Sequence, residues 1–256
     1  MTKTTRTLVA FATRWGSQLG GINSFNADLL IALHAAFYQS AQVVCVALNA
    51  SDGEIESAHR DGVTLVSLHA VEEKNFAATM EPAAWQALQQ AVRDLNVHKT
   101  VWLGHDRITG AVALAAAKAR GGKSALIHHM SYVHYEQYAE SSAVAEQKKG
   151  EQTVLFSQAD FVLAVGPLLR DALQDMLRGT QHANAEAAVL MLVPGLAEIR
   201  ALPAPKTFSA FLSGRLTDDA SKIKQVFLGI AGFAEAIRQC DEDGAKPDAL
   251  RGQSQP

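Results

Sequence analysis

The chain has 256 residues, 48% hydrophobic and 19% charged, enough to bury a substantial core, which excludes wholesale disorder. Its formal net charge of -3 gives no bulk attraction to nucleic acid, and its two cysteines, Cys45 and Cys240, lie too far apart for a disulfide framework and fit a reducing compartment. The basic N-terminus "MTKTTRTLVAFATRW" leads into an apolar run too short and too polar at its end for a signal peptide, and no run reaches the ~18 apolar residues of a membrane span, so a cytoplasmic protein is expected.

Taken in order, short β-rich runs alternate with longer helical patterns. Strands are expected at "TLVAFAT" (7–13), "QVVCVAL" (42–48), "VTLVSL" (63–68), "TVWLG" (100–104), "SALIHH" (124–129), "FVLAVG" (161–166) and "AVLMLV" (188–193). Most are nearly continuous in apolar residues, as strands covered by helices on both faces must be. Residues 22–38 set Ile22, Phe25, Leu29, Leu30 and Leu33 on one helical stripe; residues 81–95 do the same with Trp85, Leu88, Val92 and Leu95. Helical segments 107–120, 137–158 and 167–178 complete the rhythm, with Gly121-Gly122 as a helix stop. The fold class is therefore α/β, a doubly wound and mostly parallel Rossmann-like sheet.

A boundary is expected at "VPGLAEIRALPAPKT" (193–207), which holds three of the seven prolines. The predicted organisation is a first domain over 1–200, one βα element over 201–240 built from "FSAFLSGRL" and a helix at 221–239, and a polar tail over 241–256.

Four stretches could carry chemistry. Gly20-Gly21 sits between the first strand and its helix, where a ligand's phosphate could approach backbone N–H groups; the alternative is a tight loop needing positive φ. The spacing of Gly16, Gly20 and Gly21 does not match the dinucleotide fingerprint G-x-G-x-x-G. His105 and Asp106 follow a strand, at the lip where parallel sheets bind ligands, although Asp106 could instead cap the next helix. In "IHHMSYVHYEQY" (127–138), His128 and His129 alternate faces, so one of them should enter the crevice, and Tyr132, Tyr135 and Tyr138 suit sugar stacking or an aromatic patch. No clean Cys/His spacing supports a metal. Arg215, with Lys222 or Lys224, could bind phosphate, or belong to a solvated mixed-charge loop.

Together these stretches resemble the GT-B glycosyltransferases, in particular family 4. Gly20-Gly21 with "INSFNADLLIAL" is similar to the family's glycine pair and first helix. "VWLGHD", "TGAVALAAAKARGGKSALIHHM", "AD" at Ala159-Asp160, "VPGL" (193–196) and "FLSGRL" follow in the family's order. The resemblance implies a retaining transferase that uses a nucleoside-diphosphate sugar as donor substrate, with no permanently bound cofactor. It implies that Gly20 and Gly21 face the donor, that His129 (or His128) lies near the transferred sugar, and that His105 and Asp106 line the acceptor side. It also implies that Arg215 with Lys222 or Lys224 neutralises the leaving diphosphate. The loop after Arg215 is longer than the family's, and "VPGL" lacks the usual Asn before Gly. The family's E-x7-E region is not in this sequence, so the reading is an acceptor-side domain with the start of a donor domain. The other reading is a GT-B-like binding or interaction module without turnover. A sugar, lipid or small-molecule acceptor is expected; nucleic acid is not. Peripheral membrane contact and a homo-oligomer stay open.

Overall fold

The computed structural model describes residues 6–16, 20–38, 40–69, 76–132, 142–178, 180, 189–195 and 226–242. Among these residues seven strands form one sheet: β1 (Arg6–Ala12), β2 (Ala41–Leu48), β3 (Thr64–Leu68), β4 (Thr100–His105), β5 (Lys123–His128), β6 (Phe161–Val165) and β7 (Leu190–Leu192). Every pairing is parallel, and the order is β3-β2-β1-β4-β5-β6-β7. Among the described residues the helices are α1 (Gly21–Phe37), α2 (Asp52–Arg60), α3 (Phe76–Ala91), α4 (Ile108–Arg120), α5 (Ser142–Ser157), α6 (Pro167–Leu177) and α7 (Val226–Glu242). This is the doubly wound α/β architecture expected from the apolar runs.

Strand alternation divides the core in two. Val9, Phe11, Val44, Val46, Trp102 and Leu126 face α3 and α4, with Met80, Leu88 and Val112 packed among them. Ala10, Ala12, Val43, Cys45, Ala47 and Leu103 face the opposite way, toward Leu30 of α1 and Ala58 of α2. The small residues on this second face let α1 approach the sheet closely. Phe11 stacks on Trp102 with ring centroids 6.1 Å apart, and Trp102 Nε1 donates to Gly121 O at 2.7 Å. Gly121 ends α4 as expected, at φ 90°, with its N–H on Ala117 O.

The α1 stripe turns out rotated: the buried positions are Asn23, Asn26, Ala27 and Leu30, and Ile22, Phe25, Leu29 and Leu33 flank them. Helix α3 is already formed at Phe76 and carries Pro82 inside it. Helix α2 was not expected from the sequence pattern. Its segment "DGEIESAHR" buries only Ala58, so it has no apolar stripe to read. Its capping box is intact: Ser51 Oγ accepts from Glu54 N, and Glu54 Oε2 accepts from Ser51 N. The strand expected at 208–216 lies outside the described residues, and Ile230 and Ile237 of α7 are exposed. Among the described residues, no helix is long and apolar enough to cross a membrane.

Candidate functional site

The sheet order reverses between β1 and β4. The chain leaves β1 toward β2 and β3, and leaves β4 toward β5, β6 and β7. At such a switch point the loops beyond the strand ends diverge and open a crevice. A cavity of about 680 Å³, counting the part open to solvent, occupies this place. Ala12 and Thr13 line it from the end of β1, Gly20 to Asn23 from the start of α1, and His105 and Asp106 from the end of β4. Ile108, Thr109, Met130 and Tyr132 close the other side. The structure thus brings four expected residues, Gly20, Gly21, His105 and Asp106, to one cavity.

The glycine pair divides into two roles. Gly20 precedes α1 at φ 113° and ψ 168°, a backbone region open essentially to glycine alone. Gly21 has no such constraint, and a Cβ there would meet nothing within 4 Å. Among the described residues no side chain caps α1, which leaves the N–H groups of its first turn beside the cavity.

The opposite wall is a hydrogen-bond net. Asp106 does not cap α4. Its φ is 43°, incompatible with the extended N-cap conformation, and the cap position falls to Arg107 without a side-chain bond. The Asp106 carboxylate accepts from His128 Nδ1 at 2.9 Å, Gln152 Nε2 at 2.9 Å and the His129 backbone N–H at 3.2 Å. Asp106 N in turn donates to Ile127 O at 2.9 Å. His128 is fully buried, edge-on to Phe156. His129 turns the other way, half-buried, edge-on to Phe25 at 4.8 Å. The two histidines do point to opposite faces, and neither lines the cavity itself. His129 Nε2 lies 2.8 Å from Nδ1 of the wall residue His105, whose Nε2 lies 2.8 Å from Asn26 Oδ1.

Burial, reinforced by the neighbouring His129, pushes the His105 imidazole down to about 3, so it is neutral at physiological pH. Burial also lowers His129, with Asp106 opposing and His128 adding to the shift. Tyr132 is raised by burial and by Asp106, against Arg107 and Lys148, whose cationic groups each lie 5.8 Å from its ring centroid. Among the described residues, no group of three or more His, Cys, Asp or Glu is disposed to hold a metal ion.

Asn23, Asn26 and Gln152 were missed by sequence reasoning. Their signal is a polar residue on a buried helical face: Asn26 and Gln152 are fully buried, and Asn23 nearly so. Asp160, from the "AD" pair, lies at the far end of the sheet. Its carboxylate accepts from Ser124 N at 2.8 Å and from Lys123 Nζ at 2.7 Å. Tyr135, Tyr138, Arg215, Lys222 and Lys224 lie outside the described residues.

One comparison decides the family: residues 9–252 match family 4 glycosyltransferase in conflict systems, GT4-conflict. The chain belongs to this glycosyltransferase family. No curated protein matches the chain. Among solved structures it is similar to sucrose-phosphate synthase from Thermosynechococcus elongatus, at 14% identity and TM-score 0.49, covering 73% of this chain and 47% of that one. It is also similar to apo UGT2 of Phytolacca americana, at 9% identity and TM-score 0.49, covering 75% and 52%. The chain thus spans about half the length of either structure.

Proposed function

We propose that this GT4-conflict chain supplies the acceptor-side half of a glycosyl-transfer centre whose donor is a nucleoside-diphosphate sugar. One observation carries the reading: an uncapped helix N-terminus, opened by Gly20, faces the His105–Asp106 wall across the switch-point cavity. A helix N-terminus favours negative charge, and departure of a nucleoside diphosphate places negative charge on its β-phosphate. The first turn of α1, beside Gly20 and Gly21, receives that charge without a metal. Arg215, with Lys222 or Lys224, neutralises it from the donor side. His129 sits near the transferred sugar, and His105 and Asp106 belong to the acceptor side. Transfer proceeds with retention, without a protein nucleophile. The acceptor is a sugar, lipid or small molecule, and the compartment is the cytoplasm.

Calorimetric titration of the full-length protein with UDP-, GDP- and ADP-sugars, paired with an assay of nucleotide release, tests the reading. One donor class should bind and be consumed. His129→Ala should abolish release and leave the far-UV circular dichroism unchanged. Binding without consumption would favour an interaction module instead, and no binding by any donor would sink the proposal.

A further inference from the structure

His128 Nε2 is buried without a partner, whereas the half-buried His129 keeps a ring nitrogen, Nδ1, that no described group bonds. What that nitrogen can do depends on where the ring proton lies, and two buried neighbours decide this.

The chain of bonds starts in the core. Asn26 is fully buried, and its Nδ2 points at Cys45 Sγ at 3.5 Å, which leaves Oδ1 facing His105. An amide oxygen only accepts, so His105 Nε2 must carry the proton. His105 is neutral and has one ring proton, so its Nδ1 holds a lone pair. The partner of that lone pair is His129 Nε2, at 2.8 Å, which must therefore donate. A neutral His129 then has no proton left for Nδ1.

We infer that Asn26, acting through His105, locks His129 in the Nε2–H tautomer and leaves Nδ1 as a hydrogen-bond acceptor for a substrate hydroxyl. Asn26 and His105 are thus positioning residues: they set the proton on His129 without meeting the substrate. The backbone N–H of His129, held on the Asp106 carboxylate at 3.2 Å, and the edge contact with Phe25 fix the ring in place. The lock stands on the hydrogen-bond geometry together with a neutral, buried His105; the identity of the hydroxyl as a sugar's rests on the glycosyl reading above.

The test is long-range proton–nitrogen correlation spectroscopy of histidine-labelled protein near pH 7.5, with ring signals assigned through His105→Phe and His129→Phe. Both His105 and His129 should show the Nε2–H pattern in the unsubstituted protein. Asn26→Leu removes the acceptor and should turn both patterns into tautomer mixtures. An Nδ1–H pattern on His129 in the unsubstituted protein would mean that the Asn26 amide faces the other way, and it overturns the lock. Unchanged patterns in folded Asn26→Leu overturn it as well. A UDP-, GDP- or ADP-sugar that binds should shift the His129 Nδ1 resonance; binding with Nδ1 unmoved overturns the acceptor role. If none of them binds, the glycosyl reading fails while the tautomer result still decides the lock.

Discussion

Asp106 Oδ1 lies 2.9 Å from Nδ1 of His128, joining the ends of the neighbouring strands β4 and β5 at the cavity wall. The same carboxylate holds Gln152 of α5 and the His129 backbone. Three donors thus converge on one side chain that is 5% exposed. Asp106→Asn keeps the size and the tolerance of positive φ but presents an amide N–H₂ to donors. It should cost on the order of 3 kcal/mol, since buried donors lose their acceptor. The urea midpoint measures this; a loss under about 1 kcal/mol would refute the central place given to the carboxylate.

The two glycines should separate stability from binding. Gly20→Ala forces a side chain into φ 113° and should destabilise by about 1–3 kcal/mol in thermal unfolding. Gly21→Ala meets open space and should leave the melting temperature unchanged or slightly raised. It should nevertheless weaken calorimetric affinity for a sugar nucleotide, because its methyl group projects beside the helix N-terminus. Equal melting losses in both variants would contradict this division.

Acid should loosen the fold before it protonates the wall. His105 is depressed from 6.5 to about 3 in the folded protein, so below 6.5 the unfolded chain binds the proton that the native one refuses. Stability is then fully present above about pH 6.5 and falls toward pH 3, by about 1.4 kcal/mol per pH unit at most from this group. The lowered His129 acts in the same sense. Urea unfolding from pH 7.5 to 4 gives the slope, and His105→Gln should flatten it. An identical slope in that variant would assign the acid sensitivity elsewhere.

Gly122→Ala should be the most damaging glycine substitution at the opposite end of the sheet. Its φ is 92°, and a Cβ would lie 2.5 Å from Val97 O and 2.6 Å from Thr100 O, both backbone atoms. A loss of about 3 kcal/mol or more is expected, read from the denaturant midpoint.

The sheet was legible because its strands, such as "QVVCVAL", are covered on both faces and read as unbroken apolar runs. Helix α2 was not, since a helix that buries a single alanine leaves no periodic signal and shows only its capping box. Part of the cavity lining was legible where backbone chemistry left a mark, as at Gly20, and where polar residues sit at a strand's end, as at His105 and Asp106. The role of Asp106 was ambiguous, because an aspartate before a helix reads as a cap until its φ of 43° is seen. Asn26 and Gln152 were hidden for another reason. Their partners, His105 and Asp106, lie 79 and 46 residues away, and no local pattern encodes a bond that only the sheet order closes.

That sheet order also sets a timetable. β1 emerges well before β4 during synthesis, yet β4 is one of its two neighbours and cannot pair until residues 100–105 have been made. Asn26 must wait for His105 across 79 residues, roughly 4 to 16 s at common elongation rates of about 5–20 residues per second. During that interval the middle of the future sheet has an open flank, and the apolar edge of β1 is a surface that a chaperone or the ribosome has reason to shield.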